Sequence, residues 1–159
     1  MILTGSGESD NGEFMTYKVA MGADHAGYEL KEKLKSHLEE NGHFIDDFGT
    51  YSDESVYYPD FVHPVATAVE NGDYDFGILV CGSGNGSAIT ANKHRGIRAV
   101  ICWNEMLAKL ARSHNNANIL CLAGRFIDYE LAKEIVRVFL STRFDGGRHQ
   151  RRINKISPA

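Results

Sequence analysis

Long apolar runs are absent from this 159-residue chain: no stretch approaches the roughly 20 apolar residues of a membrane-spanning helix. An excess of basic charge is absent too. The 17 Lys and Arg are outweighed by 21 Asp and Glu, for a formal net charge of −4, which gives no support to a nucleic-acid or anionic-membrane partner. Cysteine is scarce. Three residues argue against a disulfide scaffold and fit a reducing cytoplasm, with at least one thiol free for chemistry. No internal repeat and no coiled-coil heptad is apparent. The cysteines show no C-x-x-C spacing and His25, His114 and His149 are scattered among them, so no metal set stands out. Residues 1–16, MILTGSGESDNGEFMT, carry neither a basic n-region nor a long apolar h-region. They are not a recognisable signal peptide and read as a flexible leader.

What is present is a 43% hydrophobic body of alternating segments, enough for one domain with one core. Apolar strands are predicted over 17–22 (YKVAMG), 43–48, 76–81 (FGILVC), 97–103 and 119–123. Helices are predicted over 28–40, where Leu30, Leu34 and Leu38 recur at helical spacing, and over 58–70, 105–113 and 129–140. Pro59 suits a first helical turn, but Pro64 predicts a later start or a kink. Asp128 is placed to cap the last of these helices. Five strands alternating with helices predict an α/β fold: a Rossmann-like, doubly wound three-layer sandwich with a mainly parallel five-stranded sheet. Residues 17–141 form this domain, and 142–159 form a basic C-terminal segment that completes a site. The strand order is left open. Functional loops belong outside the carboxyl ends of the strands.

Three such features carry chemistry. Gly22 to Gly27 contains Asp24 and His25, a carboxylate beside an imidazole; the pair also suits a helix cap and a surface histidine. Cys81-Gly82-Ser83-Gly84-Asn85-Gly86-Ser87 leaves the most buried-looking strand. Its glycines allow a tight turn with exposed N–H groups, a cradle for a phosphate or a developing enediolate. It lacks the G-x-G-x-x-G spacing of dinucleotide sites and the lysine of a P-loop, which makes NAD and ATP poor candidates. Cys81 is the best nucleophile or base in the chain. A free thiol titrates near 8.5, a value that helix-end N–H groups are expected to lower. Cys102 and Cys121 sit within apolar runs and read as core. The third feature, Arg112 to Asn118, offers His114 as an acid or base and Asn115 as a hydroxyl ligand, though both also suit a helix end. It precedes a strand, the wrong edge for a site built from one chain, and so hints at service to a neighbouring subunit. Arg125 follows the fifth strand. Arg148 and Arg152 stand four apart behind Gly146-Gly147 and would share a helix face as a phosphate clamp. A base, an oxyanion cradle, an acid pair and a clamp suit a phosphorylated sugar, and aldose–ketose isomerisation requires that set without a cofactor.

The stretches VAMGADHAGYELK, DFGTYS, YPDF, LVCGSGNGSAITANKHRGIRA, ARSHNNANILCLAGR and FDGGRHQRR together resemble the ribose-5-phosphate isomerase B family, which includes the subunits of galactose-6-phosphate isomerase. The resemblance runs from about Lys18 to Ile156. It implies that Cys81 is the proton-transferring base, and that Gly82, Ser83, Gly84, Asn85 and Gly86 form the anion hole, with the Ser83 hydroxyl polarising the carbonyl. By the same resemblance Asp24 and His114 assist ring opening, His25 contacts sugar or phosphate, Asn115 binds substrate, and Arg125, Arg148 and Arg152 hold the phosphate. It also implies homodimers or tetramers with active sites shared between chains. Family members of a second kind carry a glutamate base where this chain has Ser87. Many read His-Asn-Asp where this chain has His114-Asn115-Asn116, which removes a carboxylate near the histidine. The implied activity is interconversion of ribose 5-phosphate and ribulose 5-phosphate. A six-carbon sugar phosphate (allose or galactose 6-phosphate) and a non-catalytic sugar-phosphate-binding module are the alternatives.

Overall fold

A computed structural model describes residues 15–159, so the leader expected over 1–16 lies, except for its last two residues, outside the described part. In chain order the elements are β1 (Lys18–Ala23), α1 (Tyr28–Glu40), β2 (Phe44–Asp47), α2 (Tyr58–Glu70), β3 (Phe76–Cys81) and α3 (Asn85–Ala91). There follow β4 (Ala99–Ile101), α4 (Glu105–Asn115), β5 (Ile119–Ala123), α5 (Tyr129–Ser141) and α6 (Arg148–Ile153). The sheet order is β2-β1-β3-β5-β4 and every pairing is parallel. The α/β sandwich predicted from the sequence is therefore the fold, with a sheet that is wholly rather than mainly parallel.

Side chains alternate across a strand, and here both faces are covered. Val19, Met21, Ile78, Val80, Leu120 and Leu122 pack with Leu30, Leu34 and Leu38 of α1 and with Ile135 and Phe139 of α5. Ala20, Leu79, Ile119 and Cys121 pack on the other face with Val62, Val65, Ala66 and Val69 of α2 and Ala88 and Ala91 of α3. A fully buried leucine such as Leu34 contributes roughly 1.5–3 kcal/mol to this core. Burial on both faces is why β3 reads as an unbroken apolar run.

Besides one-residue shifts at the ends of β1, β2 and α5, three points of the sequence reading change, each for a local reason. β4 is only Ala99–Ile101, not 97–103, because the Ile97 N–H is used in a turn to His94 and the Arg98 N–H goes to the Asn118 side chain. The Asn92 side chain then occupies both backbone groups of Ala99 at the sheet edge, at 2.8 and 3.0 Å. α2 runs through Pro64 with Pro59 in its first turn. Pro64 is exposed, so its missing N–H falls on the solvent side rather than against the core. α4 extends to Asn115, because the residue that ends it is Asn116, held in the left-handed conformation at φ 45°. Asp128 caps α5 as expected, accepting from the Leu131 N–H at 2.8 Å.

β1 and β3 are neighbours whose onward connections diverge, one toward β2 and the other toward β4 and β5. The crevice between their carboxyl ends is the switch point at which ligands bind in open α/β sheets. The loops holding Asp24 and Cys81 meet there.

Candidate active site

Cys81 is the last residue of β3 and is buried, 5% exposed. The turn after it depends on Gly84, which takes a left-handed φ of +83° and sets the start of α3. Ser83 Oγ accepts from the Asn85 N–H at 3.2 Å, and Ser87 Oγ donates to the Gly84 carbonyl at 2.9 Å. The N–H groups of Ser83 and Gly84 have no acceptor among the described residues. They are donors available to an anion at the mouth of the loop. The thiol itself departs from expectation. Burial, and then the charge of Asp24, push it up to about 11, outweighing hydrogen bonds from the Asp24 N–H and Ser87 that act to lower it. Cys102 and Cys121, also buried, are pushed up to about 12 by burial and are inert core thiols.

The β1–α1 loop lies directly against this turn. A Cβ on Gly27 would stand 1.8 Å from the Val80 carbonyl oxygen. Only glycine permits so close an approach, and that approach brings Asp24 to the Cys81 thiol. The Asp24 carboxylate is buried and accepts from the Gly27 N–H at 3.0 Å, so it closes the turn and faces Cys81 at once. His25 Nδ1 accepts from the Val56 N–H at 3.2 Å. That bond leaves Nε2 as the protonated, donating nitrogen of a neutral ring.

The chain that supplies Val56 is itself anchored by a residue that sequence reasoning passed over. Lys31 is fully buried on α1. Its Nζ lies 2.6 Å from both carboxylate oxygens of Asp47 and 2.7 Å from the Thr50 carbonyl. The same segment pairs with β1 through Ala23 N–H to Gly49 and Thr50 N–H to Ala23, both 2.7 Å. Burial acts to raise the Asp47 pKa. Hydrogen bonds from Lys31 and the Gly49 N–H, and the charges of Lys31 and Lys35, outweigh it and hold the carboxyl below its ordinary value. Because the folded value is the lower one, this stabilisation is present above pH about 4 and is lost as pH falls through the folded value. Lys31→Met is expected to cost about 3 kcal/mol in urea unfolding, since it takes from a buried carboxylate its closest cation and leaves only Lys35 at 3.5 Å and the Gly49 N–H. Lys31→Met with Asp47→Asn should recover part of the loss. The signal was in the sequence: Lys31 follows Leu30 and shares the buried face with Leu34 and Leu38.

Two more side chains lie over the glycine turn. Arg125 is exposed, and its guanidinium lies 3.4 Å from where a Cβ of Gly82 would stand. Its backbone is tied to the turn through Gly124 N–H to Cys81 (2.7 Å) and Arg125 N–H to Gly82 (3.1 Å). The Tyr58 ring covers Gly86, 2.5 Å from a built Cβ. Sequence reasoning did not single out Tyr58, because its approach to Gly86 comes from α2 and has no local signature.

His114, Asn115, Arg148 and Arg152 are elsewhere. His114 and Asn115 close α4, five and four residues before β5 begins at Ile119. Cys81 pairs with Ala123 at the far end of that strand, so the two groups lie at opposite edges of the sheet, more than about 13 Å apart at 3.3 Å per residue. Arg148 and Arg152 stand on α6, which packs against α4; both are exposed, with no ion-pair partner among the described residues. A cavity of about 630 Å³ opens beside this second group, lined by Arg98, Asn115, Ile153 and Ile156 among others. Asn116 holds the end of α4: its side chain accepts from Arg112 at 2.9 Å and its carbonyl from Arg98 at 2.9 and 3.0 Å. Its place in the motif is thus a left-handed cap that fixes His114.

One cluster was not visible in the sequence. Ring nitrogens of His114 and His149 and a carboxylate oxygen of Asp145 lie within 4.8 Å of one another. The two rings are stacked, with centroids 4.2 Å apart and planes 12° from parallel. Lone pairs lie in the ring plane, so nearly parallel rings cannot aim theirs at one common ion, and the trio is a stack rather than a chelate.

A family described as Ribose/Galactose Isomerase matches residues 19–156. Ribose-5-phosphate isomerase B of Escherichia coli (strain K12) is 46% identical over 140 residues, 88% of this chain and 94% of that protein. A crystal structure of a ribose 5-phosphate isomerase from Thermotoga maritima is 55% identical with a TM-score of 0.88, covering 90% of this chain and 99% of that one. Ribose-5-phosphate isomerase B from Mycoplasma genitalium, solved with bound ribulose-5-phosphate, is 44% identical with a TM-score of 0.84, covering 87% and 93%.

Proposed function

The chain belongs to the ribose/galactose isomerase family, and from that membership we propose that it interconverts ribose 5-phosphate and ribulose 5-phosphate through an enediolate, with Cys81 as the base. The observation that carries the chemistry is the buried Cys81 thiol set beside Asp24 and directly before the unpaired N–H groups of Ser83 and Gly84. The ribulose-5-phosphate bound to the Mycoplasma genitalium relative favours the five-carbon substrate.

The cyclic sugar opens first. His114 and Asp24 move the proton from the anomeric hydroxyl to the ring oxygen. The Cys81 thiolate then takes the proton from C2 of the open aldehyde, and the electron pair left behind forms the C1–C2 double bond as charge moves to O1. The loop N–H groups and the Ser83 hydroxyl stabilise that charge where it develops. Return of the proton from Cys81 to C1, with transfer of the O2 hydroxyl proton to O1, gives the ketose and restores the thiolate. The product is an isomer of the substrate, so no cofactor enters the balance. His25, donating through Nε2, and Asn115 orient hydroxyls, while Arg125, Arg148 and Arg152 hold the phosphate.

Because His114 and α6 lie at the opposite edge from Cys81, the site is shared between two chains of a homodimer. Ile89, Trp103, Met106 and Leu107 expose apolar surface on α3 and at the start of α4, in keeping with such an interface. Three free thiols in one chain suit a reducing cytoplasm.

The test is turnover. Ribose 5-phosphate should be converted; conversion of neither ribose 5-phosphate nor allose 6-phosphate by the dimer would overturn the reading. Arg148→Ala should lower kcat/KM for ribose 5-phosphate by about 30- to 1000-fold, as expected at roughly 2–4 kcal/mol for an arginine, exposed in the single chain, that is desolvated against the substrate phosphate in the proposed dimer. The loss on unphosphorylated ribose should be small, and Arg148→Lys should recover only part, because a point charge lacks the guanidinium fork.

A further inference from the structure

α6 is a short basic helix whose residues Arg148, Gln150, Arg151 and Arg152 are all exposed, while His149 among them is buried. The buried ring goes to one place, flat against His114. Packing of α6 onto α4 is thus made in part by an imidazole–imidazole stack, with a phosphate-clamp arginine on either side of His149 in sequence. Asp145, in the loop before α6, is fixed by its N–H to the Ser113 carbonyl at 2.9 Å.

Two stacked imidazolium rings would repel at contact distance, so the pair accepts one proton but resists a second. The charged groups acting on His149 are His114 from α4, Asp145 from the preceding loop, and Arg148 and Arg152 from α6 itself. Burial, then His114, Arg148 and Arg152, lower its pKa, with Asp145 opposing them. A dianionic phosphate seated on Arg148 and Arg152 cancels most of the field those arginines impose.

We propose, resting on the isomerase reading above, that His149 is a positioning residue for His114: the stack fixes the plane of the His114 ring, and its place between Arg148 and Arg152 couples arrival of the substrate phosphate to uptake of one proton by the histidine pair. Phosphate binding then favours a proton on the pair that contains the acid opening the sugar ring. With the clamp empty, burial, His114 and the charges of Arg148 and Arg152 together lower the pKa of His149.

The experiment has two arms on the full-length dimer. In the first, the His149 and His114 ring protons are followed by NMR across pH 5–9, with and without saturating inorganic phosphate. The midpoint of the pair should rise with phosphate in the wild type, and the rise should vanish in Arg148→Ala with Arg152→Ala. An unmoved midpoint in the wild type overturns the coupling. In the second arm, kcat and KM for ribose 5-phosphate are measured across pH for His149→Ala and His149→Phe, after unfolding curves show that both variants fold. His149→Ala should lower kcat about tenfold or more with little change in KM. His149→Phe keeps a flat ring in the stack, and should recover much of kcat at the optimum while displacing the acidic limb. A raised KM at unchanged kcat in His149→Ala would make His149 a phosphate ligand and overturn the positioning role. If the wild type turns over neither sugar phosphate, the isomerase reading fails by itself, and the NMR arm still decides whether phosphate and the histidine pair are coupled.

Discussion

Cys81→Ala should lower kcat for ribose 5-phosphate by about 10³-fold, within the range of 10²–10⁴ that a positioned acid or base contributes, without unfolding the protein. Removing one sulfur from the end of β3 leaves a small gap but breaks no backbone bond: the Cys81 carbonyl still accepts from Gly124. Stability in urea should therefore change by about 1 kcal/mol, while activity nearly vanishes. Cys81→Ser should be as poor, because a hydroxyl at that site is a far weaker base. Substantial turnover in the alanine variant would transfer the base to Asp24, the carboxylate beside it.

The same thiol sets the pH dependence. With its pKa pushed up to about 11, only about one molecule in a thousand carries the thiolate at pH 8. That scarcity is partly offset, since a thiolate from a weaker acid abstracts carbon-bound protons more readily. The ratio of kcat/KM between wild type and Cys81→Ala should rise about tenfold per pH unit from 7 toward 10, because the ratio isolates the thiolate while the demand for His114 as acid is common to both. A limb centred near the ordinary thiol value would mean that the bound dimer relieves the effects of burial and of Asp24.

Much of this was legible in the chain because its signals are local. Leu30, Leu34 and Leu38 announce α1. FGILVC announces a strand covered on both faces, and Gly82 to Gly86 announce a turn with open N–H groups. Residues acting over long sequence separations were not legible. The buried face of Lys31 was readable, but its meeting with Asp47 and Thr50, like that of Tyr58 with Gly86 and of His149 with His114, is made only by the completed fold. The thiol shift was read with the wrong sign for the same reason. Turn N–H groups are a local feature, whereas the burial of the strand end and the approach of Asp24 through the Gly27–Val80 contact are not. That Asn116 brings no carboxylate is readable from the motif; that the same residue caps α4 in a left-handed conformation is not.

Mixing two inactive chains should restore activity. Cys81 and Asp24 sit at the carboxyl edge of the sheet, and His114, Arg148 and Arg152 at the amino edge. One chain alone therefore cannot bring the two halves to one sugar, and the proposed two-fold pair would join each half to its complement twice. Cys81→Ala and His114→Ala homodimers should each be nearly inactive, every site lacking either base or acid. After equal mixing and subunit exchange, half of the dimers are hybrids. Each hybrid has one site lacking both groups and one site that is wild type, so about one quarter of wild-type turnover should return. Mixing Cys81→Ala with Asp24→Ala should restore nothing, because both residues belong to the same half. Mixing His114→Ala with Arg148→Ala should likewise fail. The pattern of which pairs rescue maps each residue to its half, independently of how strongly any one contributes. Rescue of Cys81→Ala by Asp24→Ala, or none by His114→Ala after verified exchange, would mean that the site is not divided between chains in this way.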